Sequence, residues 1–285
     1  MQDRYIGDVG DFGKFSLLRK LTANNPPIGR LKLGVVWYKF PDEAHNGDGR
    51  HIGYLRDSSF SMLDPNLHSG LARIVALGRR TIEEFERSGM LPDDTRYHAT
   101  PVAGVAGDGS VPHRRAAYRS AWLAQALDKT ASSDLVFLDP DNGIASQIAA
   151  RDGPKAGKYV LLEEIAAFWA RGQSLVVYHH LNRTASHRSQ ISAMAIRIAD
   201  AIGRPAFLCP VVLKRGSCRV FWVIGHENHH ASLNAGVRNF IEAGWHAHCD
   251  ATPERFIPAT HDGVYPEDGL GNEPFAAAAP LQFDG

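Results

Sequence analysis

The sequence predicts an α/β fold: a mostly parallel sheet with helices on both faces and an antiparallel hairpin near one edge. Three observations predict it. Short apolar runs, such as Leu135 to Leu138 and the start of SLVVYHH (174–180), read as strands buried on both faces. Such runs alternate with segments of helical apolar spacing, the pattern of a parallel sheet with crossover helices. PAFLCPVVLKRGSCRVFWVIG (205–225) carries two apolar runs about a turn at Lys214 to Ser217, which reads as an antiparallel pair.

The elements follow in order. KFSLLRKLTA (14–23) reads as a short helix stopped by Asn24, Asn25, Pro26 and Pro27. LKLGVVWY (31–38) reads as a buried strand, and a loop rich in acids and glycines follows it, PDEAHNGDGRH (41–51). Residues 67–88 place Leu71, Ile74, Val75, Leu77, Ile82 and Phe85 at helical spacing, with a break near Gly78. A weaker strand is expected at 96–103 and a helix at 112–129, with Ala117, Trp122, Leu123 and Leu127 inward. After the strand at 134–138, a helix follows Gly157 and ends at Gly172. Further helices are expected at 184–201, with Ile191, Met194, Ile196 and Ile198, and at 230–243. Residues 1–250 are expected to form one domain with a helical insertion around 57–95. The tail, 251–285, is rich in Pro, Gly and Ala and is expected to be loosely ordered.

Composition narrows the function. At 285 residues and 44% hydrophobic, the chain is long enough for one large core. Its formal net charge is zero, so no whole-chain basic field drives it onto nucleic acid, although a local patch would suffice. Cys209, Cys218 and Cys249 are odd in number and lack metal-ligand spacing; they read as reduced thiols of a cytoplasmic protein. No apolar run approaches about 20 residues, so no segment is expected to span a membrane.

Polar groups concentrate where strands end. In DLVFLDPDNG (134–143) a buried strand stops at Asp139, Pro140, Asp141, Asn142 and Gly143. The proline holds the preceding residue extended and so presents the Asp139 carboxylate at the strand end. The alternative is an ordinary turn, since Asp and Asn side chains bond nearby backbone. RYIGDVGDFGKFSLLR (4–19) packs Gly7, Asp8, Gly10, Asp11, Gly13 and Lys14 before a helix, whose start would favour an anion; a flexible leader is the other reading. AHNGDGRH (44–51) puts a glycine loop after the first strand, where nucleotide-like cofactors sit in open α/β sheets. YHHLNR (178–183) ends a strand with His179, His180, Asn182 and Arg183, which either enter the site or cap the next helix. Adjacent strand residues face opposite ways, so one of the two histidines is expected to point inward.

In the order GDVGDFGK, AHNGDGR, LVFLDPDNG the chain resembles the 23S ribosomal RNA adenine-N6 methyltransferases. Gly7, Asp11 and Lys14 match their opening G-x-x-x-D-x-x-K stretch. His45, Gly47, Gly49 and Arg50 match their H-x-G-x-G-R loop, and Asp139 with Pro140 matches the start of their D-P-P-aromatic motif. Asp141 and Asn142 stand in place of the second proline and the aromatic residue, and WYKFPDE lengthens the step from strand to loop. The resemblance implies a Rossmann-like sheet that binds S-adenosylmethionine through Lys14, His45, Gly47, Gly49 and Arg50. It implies Asp139, Pro140 and Asn142 as the catalytic motif, with Asp139 accepting hydrogen bonds from the target amine. Tyr5, Asp141, His179 and Arg183 are then the candidate substrate contacts.

The leading expectation is methyl transfer to an amine, of an RNA or DNA base. A metal-dependent nuclease or phosphohydrolase is a second reading, with Asp139, Asp141 and Glu163 holding the ion and His179 or His180 as base. A noncatalytic Rossmann-like binding protein is a third.

Overall fold

A computed structural model describes residues 1–24, 29–43, 49–102, 112–145, 155–215 and 217–251. In chain order its elements are α1 (Val9–Leu21), β1 (Leu33–Trp37), α2 (Ser58–Ser61), α3 (Pro65–Ala76), α4 (Ile82–Arg87), β2 (Arg96–His98), α5 (Pro112–Lys129), β3 (Leu135–Asp139), β4 (Gly143–Ile144), β5 (Tyr159–Val160), α6 (Leu162–Trp169), β6 (Ser174–His180), α7 (His187–Ile202), β7 (Phe207–Arg215), β8 (Ser217–Gly225), α8 (Glu227–Glu242) and β9 (Cys249–Asp250).

The main sheet has seven strands in the order β2-β1-β3-β6-β8-β7-β9. β2, β1, β3 and β6 are parallel neighbours, while β8 runs antiparallel to both β6 and β7. The sheet is therefore mostly parallel, as the alternation of elements predicts. The expected hairpin is present, but it does not form the edge: β8 lies inside the sheet, and the two-residue β9 pairs with the outer side of β7. β4 and β5 make a second, parallel pair.

β3 lies inside the sheet between β1 and β6, and all five of its residues are buried. Alternation along it feeds two cores. Leu135 and Phe137 join a core built with α1, α2, α3, α4 and α8; Val136 and Leu138 join one built with α5, α6 and α7. Helices thus cover both faces. The three helices within 58–87 pack into the first core through Phe60, Leu67, Leu71, Ile74, Ile82 and Phe85.

α1 begins earlier than the sequence pattern suggests, at Val9 rather than Lys14. Its glycines are packing residues. A Cβ on Gly13 would come within 2.6 Å of Leu213 on β7, and one on Gly10 within 2.6 Å of the Arg219 guanidinium on β8. The missing side chains let α1 lie close on the sheet, which offsets glycine's cost of about 1 kcal/mol in a helix interior.

Differences elsewhere have local causes. The helix expected after Gly157 starts only at Leu162, because Tyr159 and Val160 pair with β4. Adjacent Glu163 and Glu164 part company: Glu163 is exposed, whereas Glu164 is buried against Arg119 Nε at 2.6 Å and the Tyr38 hydroxyl at 3.0 Å. The tail expected at 251–285 lies outside the described residues except for Ala251. Among the described residues, no helix is long and apolar enough to cross a membrane.

Candidate active site

Strand order reverses between β1 and β3: β2 lies on the far side of β1, and β6 on the far side of β3. In open α/β sheets, ligands bind beyond the carboxyl ends of the strands at such a point. The register sets Trp37 opposite Asp139, so β1 and β3 end level there. A cleft of about 440 Å³ opens at this place, within the range of roughly 300–1,000 Å³ usual for small-molecule sites.

Strand parity decides which side chains reach it. Residues 135, 137 and 139 of β3 face α1, as do 176, 178 and 180 of β6 and 219, 221 and 223 of β8. Asp139, Tyr178, His180 and Arg219 accordingly line the cleft, and His180 pairs in register with Arg219. α1 supplies the opposite wall through Asp8, Gly10, Asp11 and Lys14.

Lys14 is the hub. Its ammonium nitrogen lies 2.7 Å from Asp139 Oδ2 and 2.7 Å from Asp11 Oδ1, and all three residues are at least 95% buried. Burial alone would lower the Lys14 pKa; the two carboxylates outweigh it and push the group up to about 12. Asp11 moves the other way for an acid. Burial pushes it up to about 6, against the pull of Lys14, with Asp139 and Asp8 adding repulsion. Its Oδ2 atom has no hydrogen-bond partner among the described residues.

Asp8 caps α1. Its carboxylate accepts from the Gly10 N–H at 2.9 Å and the His51 N–H at 3.1 Å, with an Arg219 nitrogen at 3.6 Å. The helix start is thereby satisfied from within and is not the anion site that its glycines and position suggest.

The turn after Asp139 is held from several sides. The Met1 ammonium lies 2.6 Å from Asp141 Oδ1 and donates to the Tyr38 carbonyl at 2.6 Å. Gln2 donates to Asp141 Oδ2 at 2.6 Å. Burial would raise the Asp141 pKa, but the ammonium, Gln2 and Lys158 more than offset it and hold the carboxyl below its usual range. The Asn142 N–H donates to the Lys158 carbonyl at 2.9 Å. Gly143 has φ +100°, and a Cβ there would sit 2.6 Å from the His179 backbone, so this turn requires glycine.

Of the residues expected at the site, Tyr5, Lys14, Gly49, Asp139, Pro140, Asp141 and Asn142 line the cleft. His45 and Gly47 lie outside the described residues. Arg50 is exposed and is not part of the lining, although its neighbours Gly49 and His51 are. His179 is corrected to His180. Parity turns His179 to the other face, where its Nδ1 accepts the Ile144 N–H at 3.1 Å and burial pushes its pKa down to about 4. Arg183 is exposed beyond the end of β6 and does not reach the cleft, because the chain has left the strand. Glu163 is exposed on α6 and does not join Asp139 and Asp141. Among the described residues, no three His, Cys, Asp or Glu side chains are grouped to hold a metal ion. Tyr178 and His51, which also line the cleft, are not among the residues the sequence singles out. Counting parity from Phe137 and Val176 is the signal that would have found Tyr178.

Comparison with known proteins finds no matching family model, no matching curated protein and no matching solved structure.

The arrangement can do specific chemistry. A carboxylate anchored by a buried ammonium offers a fixed acceptor at the mouth of a strand. Acids and cations alternate around it, which suits a ligand bearing both signs of charge. Both Asp139 and Asp141 are engaged by cationic groups of the chain itself, which disfavours using the pair as a metal cradle.

Proposed function

We propose that this protein is an S-adenosylmethionine-dependent methyltransferase acting on an amine, with an exocyclic amine of a nucleic-acid base as the acceptor class. The observation that carries the reading is Asp139: a buried carboxylate at the end of an interior strand, beside the reversal of strand order, salt-bridged to Lys14.

The residues present fit the cofactor. The cleft is large enough for a nucleoside, Tyr5 and Tyr178 offer rings, and acids surround a place suited to a sulfonium. Gly49, at φ +80°, brings backbone into the lining where a side chain would collide with the Arg4 carbonyl. The Asp11 Oδ2 atom, without a partner among the described residues, marks an acceptor awaiting a donor. When bound, the cofactor supplies an electrophilic methyl group.

The chain's own residues do the positioning. Asp139 accepts a hydrogen bond from the attacking amine and turns its lone pair toward the methyl group. Lys14 fixes the Asp139 carboxylate, so its orientation is set before substrate arrives. Asn142, two residues past Pro140, supplies a further polar contact to the acceptor. Alignment of this kind is the main catalytic contribution in such a displacement. A base within a duplex would have to be turned out of the stack to reach so deep a group.

Calorimetric titration with S-adenosylmethionine tests the reading. The expected outcome is saturable one-site binding that needs no divalent ion. Absence of cofactor binding, together with saturable Mg²⁺ binding that Asp141→Ala removes, would replace methyl transfer with metal-dependent hydrolysis.

A further inference from the structure

We infer that Asp11 and Arg219 form a subsite for the amino-acid end of the cofactor, Asp11 taking its α-ammonium group and Arg219 its carboxylate. The inference rests on the cofactor reading of the cleft and adds two residues to it.

The charge around Lys14 is incomplete. One ammonium serves two carboxylates, Asp11 and Asp139, each at 2.7 Å. With both ionised, the trio carries one excess negative charge in a buried place. Burying such a charge is costly unless an opposite charge completes it. Asp11 bears the cost. Its Oδ2 is left without a hydrogen-bond partner among the described residues, and the residue is 4% exposed while still lining the cleft. Asp8 does not share this deficit, because two backbone N–H groups and Arg219 serve it. A ligand ammonium set against Asp11 Oδ2 would satisfy the atom and neutralise the trio.

Arg219 supplies the complementary sign from the facing wall, on β8. Its guanidinium lies over Gly10, the chain neighbour of Asp11, close enough that a Cβ there would meet Cζ at 2.6 Å. It is partly buried, and its five donors in a planar fork match a carboxylate. A carboxylate acceptor and a guanidinium donor lining one cleft recognise a zwitterion better than they recognise either ion alone. Gly10 is therefore needed twice, once for the packing of α1 and once to leave Arg219 in this place.

Two adenosine probes test the subsite: S-adenosylhomocysteine, which keeps the amino-acid end, and 5′-methylthioadenosine, which lacks it. In calorimetry the wild-type protein should bind the first at least about tenfold more tightly, the effect expected of charge-assisted bonds. In Asp11→Asn and in Arg219→Gln this preference should fall to about twofold or less, while binding of 5′-methylthioadenosine holds steady. That second probe shows that the variants remain folded and the nucleoside pocket intact. Equal wild-type affinity for both probes, or a preference that survives both substitutions, would overturn the subsite and leave the cofactor reading standing. Failure of both probes to bind the wild-type protein would overturn the cofactor reading and this inference with it.

Discussion

The Lys14→Met variant is expected to lose about 3–5 kcal/mol of stability at neutral pH, the usual cost of removing one partner from a buried ion pair. Methionine replaces much of the volume, so packing is largely kept and the loss is electrostatic. Asp11 and Asp139 would be left facing each other in a place where both are at least 95% buried. For a chain of this size, the melting temperature should fall by on the order of 10 °C.

The pH dependence gives the cause away. Without the ammonium, the folded-state pKa of Asp11 stands further above its unfolded value, so the folded state holds more protons. Stability contributed by such a group is present below the unfolded value of 3.8 and is lost as pH rises through the folded value. Asp11, already at about 6 with Lys14 present, would move further up. Lys14 has the opposite reach: its contribution is complete below 10.5 and is lost only as pH rises through about 12. The groups facing this cluster are Asp8, Tyr54, Tyr178 and Arg219. The deficit of Lys14→Met against wild type should therefore widen from pH 5 to pH 8. Thermal melts across that range check it, and coincident melts at pH 8 would show that the three groups do not form a buried cluster.

Asp139→Asn is expected to behave differently. It leaves Lys14 paired one-to-one with Asp11, so no charge is orphaned, and the stability cost should stay near 1–2 kcal/mol, that of a weakened charged hydrogen bond. Methyl transfer from labelled S-adenosylmethionine to a mixed pool of RNA and DNA should fall by about 10²- to 10⁴-fold, the range for losing a group that acts on the attacking atom. Cofactor affinity should change little. A variant that loses most of its stability and keeps its turnover would make Asp139 a turn residue and nothing more.

Much of this site was legible in residue order. An apolar run ending in Asp139 and Pro140 marks a central strand, because only a strand buried on both faces needs four apolar residues in succession. Lys14 was legible as a site residue, though not as the partner of Asp11 and Asp139. The start of α1 was not, since Gly10 and Gly13 read as helix breakers until Arg219 and Leu213 are seen to occupy the space above them. The choice between His179 and His180 depends on strand phase, and that phase follows from which residues of β6 face α1. β4 and β5 are two residues each, too short to show any period. Glu164 reads as a solvated helix residue and is buried, because Arg119, forty-five positions earlier, reaches it.

The central claim is that α1, the turn after β3 and the rim of β6 and β8 close on one ligand. Hydrogen–deuterium exchange with and without S-adenosylhomocysteine tests it most directly. Protection should appear together in residues 8–14, 139–144 and 178–180 and around Arg219, with the α5–α7 face unchanged. Protection confined to other segments, or none at saturating ligand, would contradict it.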